Sequence, residues 1–163
     1  MPVEPRIIRS PDGKQLLVVC NEFSLKHPAL MMTSDDEGGS WKKLKAAPDS
    51  LAGKRQIHKY QPDGRLIMAF SDKSCYKTST SFGDFVLWVG TYEDIIEGRE
   101  GQYRVRLLDN KMGTGETGYS GLEQLSDGTI VHTTYCSLKA KTPPVIVSVR
   151  YKIKELDAIH KKW

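Results

Sequence analysis

At 163 residues, with 39% hydrophobic and 27% charged side chains, the chain can bury one sizeable core and lacks the composition of a disordered segment. A formal net charge of +4 is spread among acids until the tail Lys152 to Lys162, so the concentrated basic stripe of a nucleic-acid binder is missing and no nucleic-acid partner is expected. No apolar run approaches the ~18 residues of a membrane helix, and Met1-Pro2-Val3-Glu4 does not open like a signal peptide, so no membrane partner is expected and the compartment stays open.

Cys20, Cys75 and Cys136 form an odd, widely spaced set without a Cys-x-x-Cys pair, which reads as buried free thiols. His27, His58, His132 and His160 show no metal-ligand spacing either, so neither a metal site nor a cofactor is expected.

Helical periodicity is nearly absent, and three hairpins of one design follow in chain order. Arg6 to Arg9 and Leu16 to Val19 flank Pro11-Asp12-Gly13. The first unit continues with Ala29 to Thr33, a turn over Ser34 to Trp41, and a return strand from Trp41 to Lys45. In that turn Asp36 can accept backbone N–H bonds, Gly38 and Gly39 can take positive φ, and Ser40 can tie the loop again. Trp41 would anchor the return strand.

The second unit pairs Gln56 to Tyr60 with Leu66 to Phe70 across Pro62-Asp63-Gly64, then runs Phe85 to Tyr92 and Tyr103 to Leu108, with a turn at Thr91-Tyr92-Glu93-Asp94. The third pairs Tyr119 to Leu125 with Thr129 to Tyr135 across Ser126-Asp127-Gly128, continues with Val145 to Ile153, and stops one strand short. Lys154 to His160 carries the one helical signal. The expected fold is all-β: about three four-stranded antiparallel meanders, near residues 1–50, 51–112 and 113–163, at the period of a propeller blade.

The spacing Ser34-x-Asp36-x-Gly38-x-Ser40-Trp41 resembles the Asp-box of the bacterial neuraminidase repeat, found in β-propeller sialidases, where it is a structural turn away from the central site. The resemblance implies half of a six-bladed sialidase-like propeller. Three blades cannot close a ring, since closed propellers carry about four to eight. The chain is then either the C-terminal half of a longer propeller or one member of a homodimer that completes it.

Gly118-Tyr119-Ser120-Gly121-Leu122, ahead of its Asp-Gly turn, resembles the sialidase segment in which a Tyr-Ser pair opens an innermost strand. There the tyrosine is the nucleophile, because a neutral phenol avoids the charge repulsion that a carboxylate would meet at the acidic anomeric carbon. The resemblance implies a glycoside hydrolase for terminal sialic acid or a related acidic sugar, with Tyr119 as nucleophile, Glu22 as its base partner and Arg55 as a carboxylate ligand. His58 and Glu123 would line the same substrate site, although Glu123 falls about 13 Å along a regular strand from Tyr119. Tyr119 also suits a plain channel-filling role, and Arg65, Arg104 and Arg106 suit surface pairing with acids. A non-catalytic glycan- or protein-binding module that self-associates is the alternative.

Overall fold

The computed structural model describes residues 1–24, 29–73, 81–111 and 117–160. Cys75 and His27 lie outside the described residues. The element order is β1 (Pro2–Arg9), β2 (Leu16–Glu22), β3 (Leu30–Ser34), β4 (Lys45–Ala46), β5 (Gly53–Tyr60), β6 (Leu66–Asp72), β7 (Phe85–Gly90), α1 (Tyr92–Glu97), β8 (Tyr103–Leu108), β9 (Gly121–Gln124), β10 (Ile130–Cys136), β11 (Val145–Tyr151) and α2 (Ile153–His160). These strands make two four-stranded sheets and one three-stranded sheet, each a meander of consecutive antiparallel strands. Neighbouring sheets meet through their first strands, β1 against β5 and β5 against β9, so those strands are innermost and the sheets radiate as propeller blades.

The second blade explains why the sheets stack. Every residue of β6 and β7 is buried. Leu66, Met68, Phe70, Val86 and Trp88 pack with Ile8, Leu17, Val19 and Met31 of the first blade. The alternate set, Ile67, Ala69, Phe85, Leu87 and Val89, packs with Ile130, Leu122, Val149 and Tyr151 of the third. A strand buried on both faces reads as a continuous apolar run, which is what Leu66 to Phe70 and Phe85 to Val89 show. Ile153 and Leu156 of α2 join the same core, and Arg65 fixes the helix by a two-pronged ion pair to Asp157 at 2.8 and 3.0 Å.

All three Asp-Gly hairpins share one backbone. Gly13, Gly64 and Gly128 have φ of 77°, 85° and 80°, and the preceding aspartates accept the N–H of Lys14, Arg65 and Thr129. The turn after β3 also binds as its residue types require. Asp36 accepts from the Ser34 hydroxyl, the Ser40 N–H and the Ser40 hydroxyl at 2.7, 2.8 and 2.6 Å, and these bonds hold its carboxyl down at about 2.

Several expectations are corrected. The positive φ in that turn falls on Glu37 and Gly38, not Gly39, which stays compact by donating to the Asp36 carbonyl. Trp41 does not begin the return strand: it stands 37% exposed, the Lys42 N–H bonds to the Thr33 carbonyl, and the regular ladder resumes at Lys45. Thr91 to Asp94 is no turn but the start of α1. A capping box, Thr91 bonding the Asp94 N–H and Asp94 the Thr91 N–H, supplies two donors' partners at once, and Gly98 ends the helix in the left-handed region. Cys20 and Cys136 are buried free thiols.

His132 sits within the interface of the second and third blades, 1% exposed, stacked on Tyr151 at 5.9 Å and edge-on to Phe85 at 5.5 Å. Burial lowers its pKa from 6.5 to about 4, against the opposing pull of the Gly121 backbone. The unfolded chain therefore takes up the proton first as pH falls. The stabilisation is intact above about 6.5 and drains away toward pH 4, an effect of about 3 kcal/mol. Denaturant midpoints across that range should fall in the wild type, and most of this component should vanish in His132→Phe.

Candidate functional site

The innermost strands share one irregularity. Register jumps from Val3 to Arg6 in β1 and from Lys54 to Ile57 in β5, so two residues of each strand oppose one of its partner. The first bulged residue is left-handed in both, with φ of 54° at Glu4 and 57° at Arg55. Tyr119, just ahead of β9, repeats this with φ of 48°, and the Gly118 N–H beside it donates to the Thr134 hydroxyl at 2.9 Å. Three of the five non-glycine residues with positive φ among the described residues thus hold the same place in three blades. Such residues each cost on the order of 1 kcal/mol or more, and they concentrate where function requires them.

This geometry gathers an acid, a guanidinium and a phenol. The Arg55 N–H donates to the Glu4 carboxylate at 3.1 Å. Its guanidinium crosses to the third blade, donating to the Thr117 carbonyl at 3.1 Å and the Tyr135 hydroxyl at 3.0 Å, and lies 4.5 Å from the Tyr119 ring centre. Tyr119 is 74% exposed, so the ring face away from Arg55 is open to solvent. Gly118 lets this happen: with φ of 129°, a Cβ there would stand 2.6 Å from the Arg55 Cδ.

The residues expected from sequence are distributed unevenly around this cluster. Arg55 and Tyr119 are in direct contact. Glu22, opposite Pro2 at the end of β2, binds the N-terminal amine at 2.6 Å and the Ser24 hydroxyl, and these hold its carboxyl at about 2. Among the described residues no hydrogen bond joins Glu22 to Tyr119. His58 is half-buried on β5, its pKa lowered by burial and then by Arg6. Glu123 is exposed on β9, opposite Val131. Ser34, Asp36, Gly38, Ser40 and Trp41 lie at the other end of the first blade, where Glu37 pairs with Arg9. Arg65, Arg104 and Arg106 pair with Asp157, Asp72 and Asp84.

Sequence reasoning missed Glu4 and Tyr135. A signal for Glu4 existed: Glu4, Arg55 and Tyr119 each precede the glycine of their Asp-Gly turn by nine residues. Tyr135 carried none, because its role depends on a neighbour from another blade. Chemically, the cluster offers an open aromatic face backed by positive charge, with a carboxylate alongside. Among the described residues no group of His, Cys, Asp and Glu is placed to hold a metal ion.

Neither a family model nor a curated protein matches the sequence. Solved structures do match in shape. A Dyadobacter fermentans protein of unknown function aligns with a TM-score of 0.70 at 16% identity, over 91% of this chain and 37% of its own. GH43B of a Bacteroides ovatus xyloglucan PUL aligns at 0.58 and 12% identity, over 93% of this chain and 27% of its own. An endo-arabinase from Bacteroides thetaiotaomicron aligns at 0.53 and 13% identity, over 93% and 57%. The chain thus spans from about a quarter to under three fifths of the structures it resembles. The glycoside hydrolases among them have a five-bladed propeller fold, so the likeness carries propeller blades and not the six-bladed sialidase ring.

Gly118→Ala should be destabilising by about 1–3 kcal/mol, since the new methyl group both strains the backbone and displaces Arg55. Thermal unfolding of the purified variant checks it.

Proposed function

We propose that this chain forms three blades of a carbohydrate-active propeller of the glycoside hydrolase kind, with the sugar bound over Glu4, Arg55 and Tyr119. The observation that carries this reading is the left-handed residue repeated at one position of three blades, which places backbone strain at Glu4, Arg55 and Tyr119 alike. GH43 enzymes among the structures of similar shape support the sugar as ligand class. An open tyrosine face suits the apolar side of a sugar ring.

The finer reading is an acidic sugar, such as sialic acid, gripped by Arg55 through its carboxylate. In that reading the Tyr119 oxygen bonds to the anomeric carbon as the glycosidic bond breaks, and the phenolic proton passes to a carboxylate. Glu4, whose carboxylate accepts the Arg55 backbone N–H, is the candidate for that role, since the N-terminal amine engages Glu22. The proton for the leaving oxygen comes from an acid on a further blade. A binding module without catalysis is the second reading, favoured by the fact that among the described residues Glu4 is the one carboxylate bonded to the axial cluster.

Ring completion belongs to the same proposal. The outward face of the first blade is apolar, with Val3, Val18, Met32 and Leu44 lining a groove, whereas that of the third mixes Val131 and Ile146 with Glu123, Thr133, Ser148 and Arg150. A homodimer closing a six-bladed ring would set these unlike faces together. Further blades with an apolar face suit the first blade better.

Saturation-transfer NMR on the full chain tests the ligand. Sialic acid should bind, glucuronic acid less tightly, xylose hardly at all, and Arg55→Ala should weaken the acidic sugars about tenfold or more. Equal binding of xylose would remove the acidic-sugar reading. Where a completed propeller turns over a fluorogenic sialoside, Tyr119→Phe should abolish turnover and leave binding nearly unchanged.

A further inference from the structure

We infer that Tyr135 is a positioning residue for this site: its hydroxyl holds the Arg55 guanidinium, across the boundary between the second and third blades, against the ring of Tyr119. The inference rests on the proposed role of Arg55 and Tyr119 as sugar contacts. Its basis is geometric.

Arg55 enters its bulge left-handed, so its side chain leaves the regular alternation of β5 and must cross to the next blade. A long, flexible arginine keeps one orientation only where acceptors fix its plane. Two acceptors do so at Nη1, the Thr117 carbonyl at 3.1 Å and the Tyr135 hydroxyl at 3.0 Å. Between them they hold the guanidinium carbon over the Tyr119 ring, 4.5 Å from its centre. Gly118 leaves the passage open.

Tyr135 is not explained as core. It is half-buried, belongs to neither apolar cluster, and lies on the outward side of β10 between the buried Thr134 and Cys136. Its ring stands 6.4 Å from that of Tyr119, tilted by 35°, and it meets the cation with its hydroxyl where Tyr119 meets it with its ring. In the first two blades the corresponding cross-strand positions are Asn21 and Ser71, both too short to reach across a blade boundary as a phenol does. The third blade alone can supply this reach, and Arg55 of the second is its target.

Phenylglyoxal labelling of Arg55 in the full chain, followed by peptide mass spectrometry, tests the inference without any sugar. In Tyr135→Phe the labelling rate should rise about tenfold, because one charge-assisted hydrogen bond is lost while the ring volume is kept. Tyr119→Ala should also raise it, and Tyr119→Phe, which keeps the ring, should leave it at the wild-type rate. An unchanged rate in Tyr135→Phe overturns the inference. Titrating sialic acid into the same variants separates the two proposals. A reactive Arg55 with undiminished sialic acid affinity upholds the positioning role of Tyr135 while removing the sugar-contact reading of Arg55.

Discussion

The structure depends on the burial of the second blade from both sides. Leu66 through Phe70 and Phe85 through Val89 present apolar side chains to each face, and neither face can be left in water. At about 1.5–3 kcal/mol for each fully buried large side chain, these residues supply the dominant favourable term and require a sheet on either side. The first blade answers with Ile8, Leu17 and Val19, the third with Ile130, Leu122 and Val149. Stacking twisted sheets in this way splays their outer strands and draws β1, β5 and β9 together.

That convergence turns a repeated backbone feature into a chemical site. Each bulge by itself would be a local irregularity with a small energetic cost. Because the first strands meet at the axis, two bulges and the left-handed residue ahead of β9 become one cluster, and the same backbone position carries a carboxylate, a guanidinium and a phenol. The repeat conserves the geometry while the side chains differ, so the fold alone does not specify the activity. The inter-blade contacts of Arg55 further join the cluster to stability, since the guanidinium that faces the site also ties the third blade to the second.

The opposite end of the blades has a different character. There the Asp-Gly hairpins and the Asp36 turn close on themselves through short-range bonds, with Glu37 reaching only as far as Arg9. Bonds between blades occur at this end too, from Tyr92 to Gln15 and from Arg65 to Asp157, but the turns themselves close locally. Glu22 and Asp72 stand at matching strand ends and are each held within their own blade, by the N-terminal amine in one case and by Arg104 in the other.

What the sequence by itself determined was whatever local chemistry decides. Gly13, Gly64 and Gly128 mark hairpins because an aspartate two residues from a backbone N–H and a left-handed glycine are satisfied within five or six residues. The continuous apolar runs of β6 and β7 announced a buried sheet, and Ser34, Asp36 and Ser40 announced their turn. Even locally the reading failed where two signals competed: strand propensity ran through Tyr92, but the Thr91 and Asp94 capping box made a helix. Only the tertiary structure decided which side chains meet. Arg55 and Thr117 are 62 residues apart, and no pattern along the chain states that the guanidinium of one blade ends beneath the phenol of the next. Periodicity reports which way a side chain faces, but the partner it finds depends on how whole sheets pack.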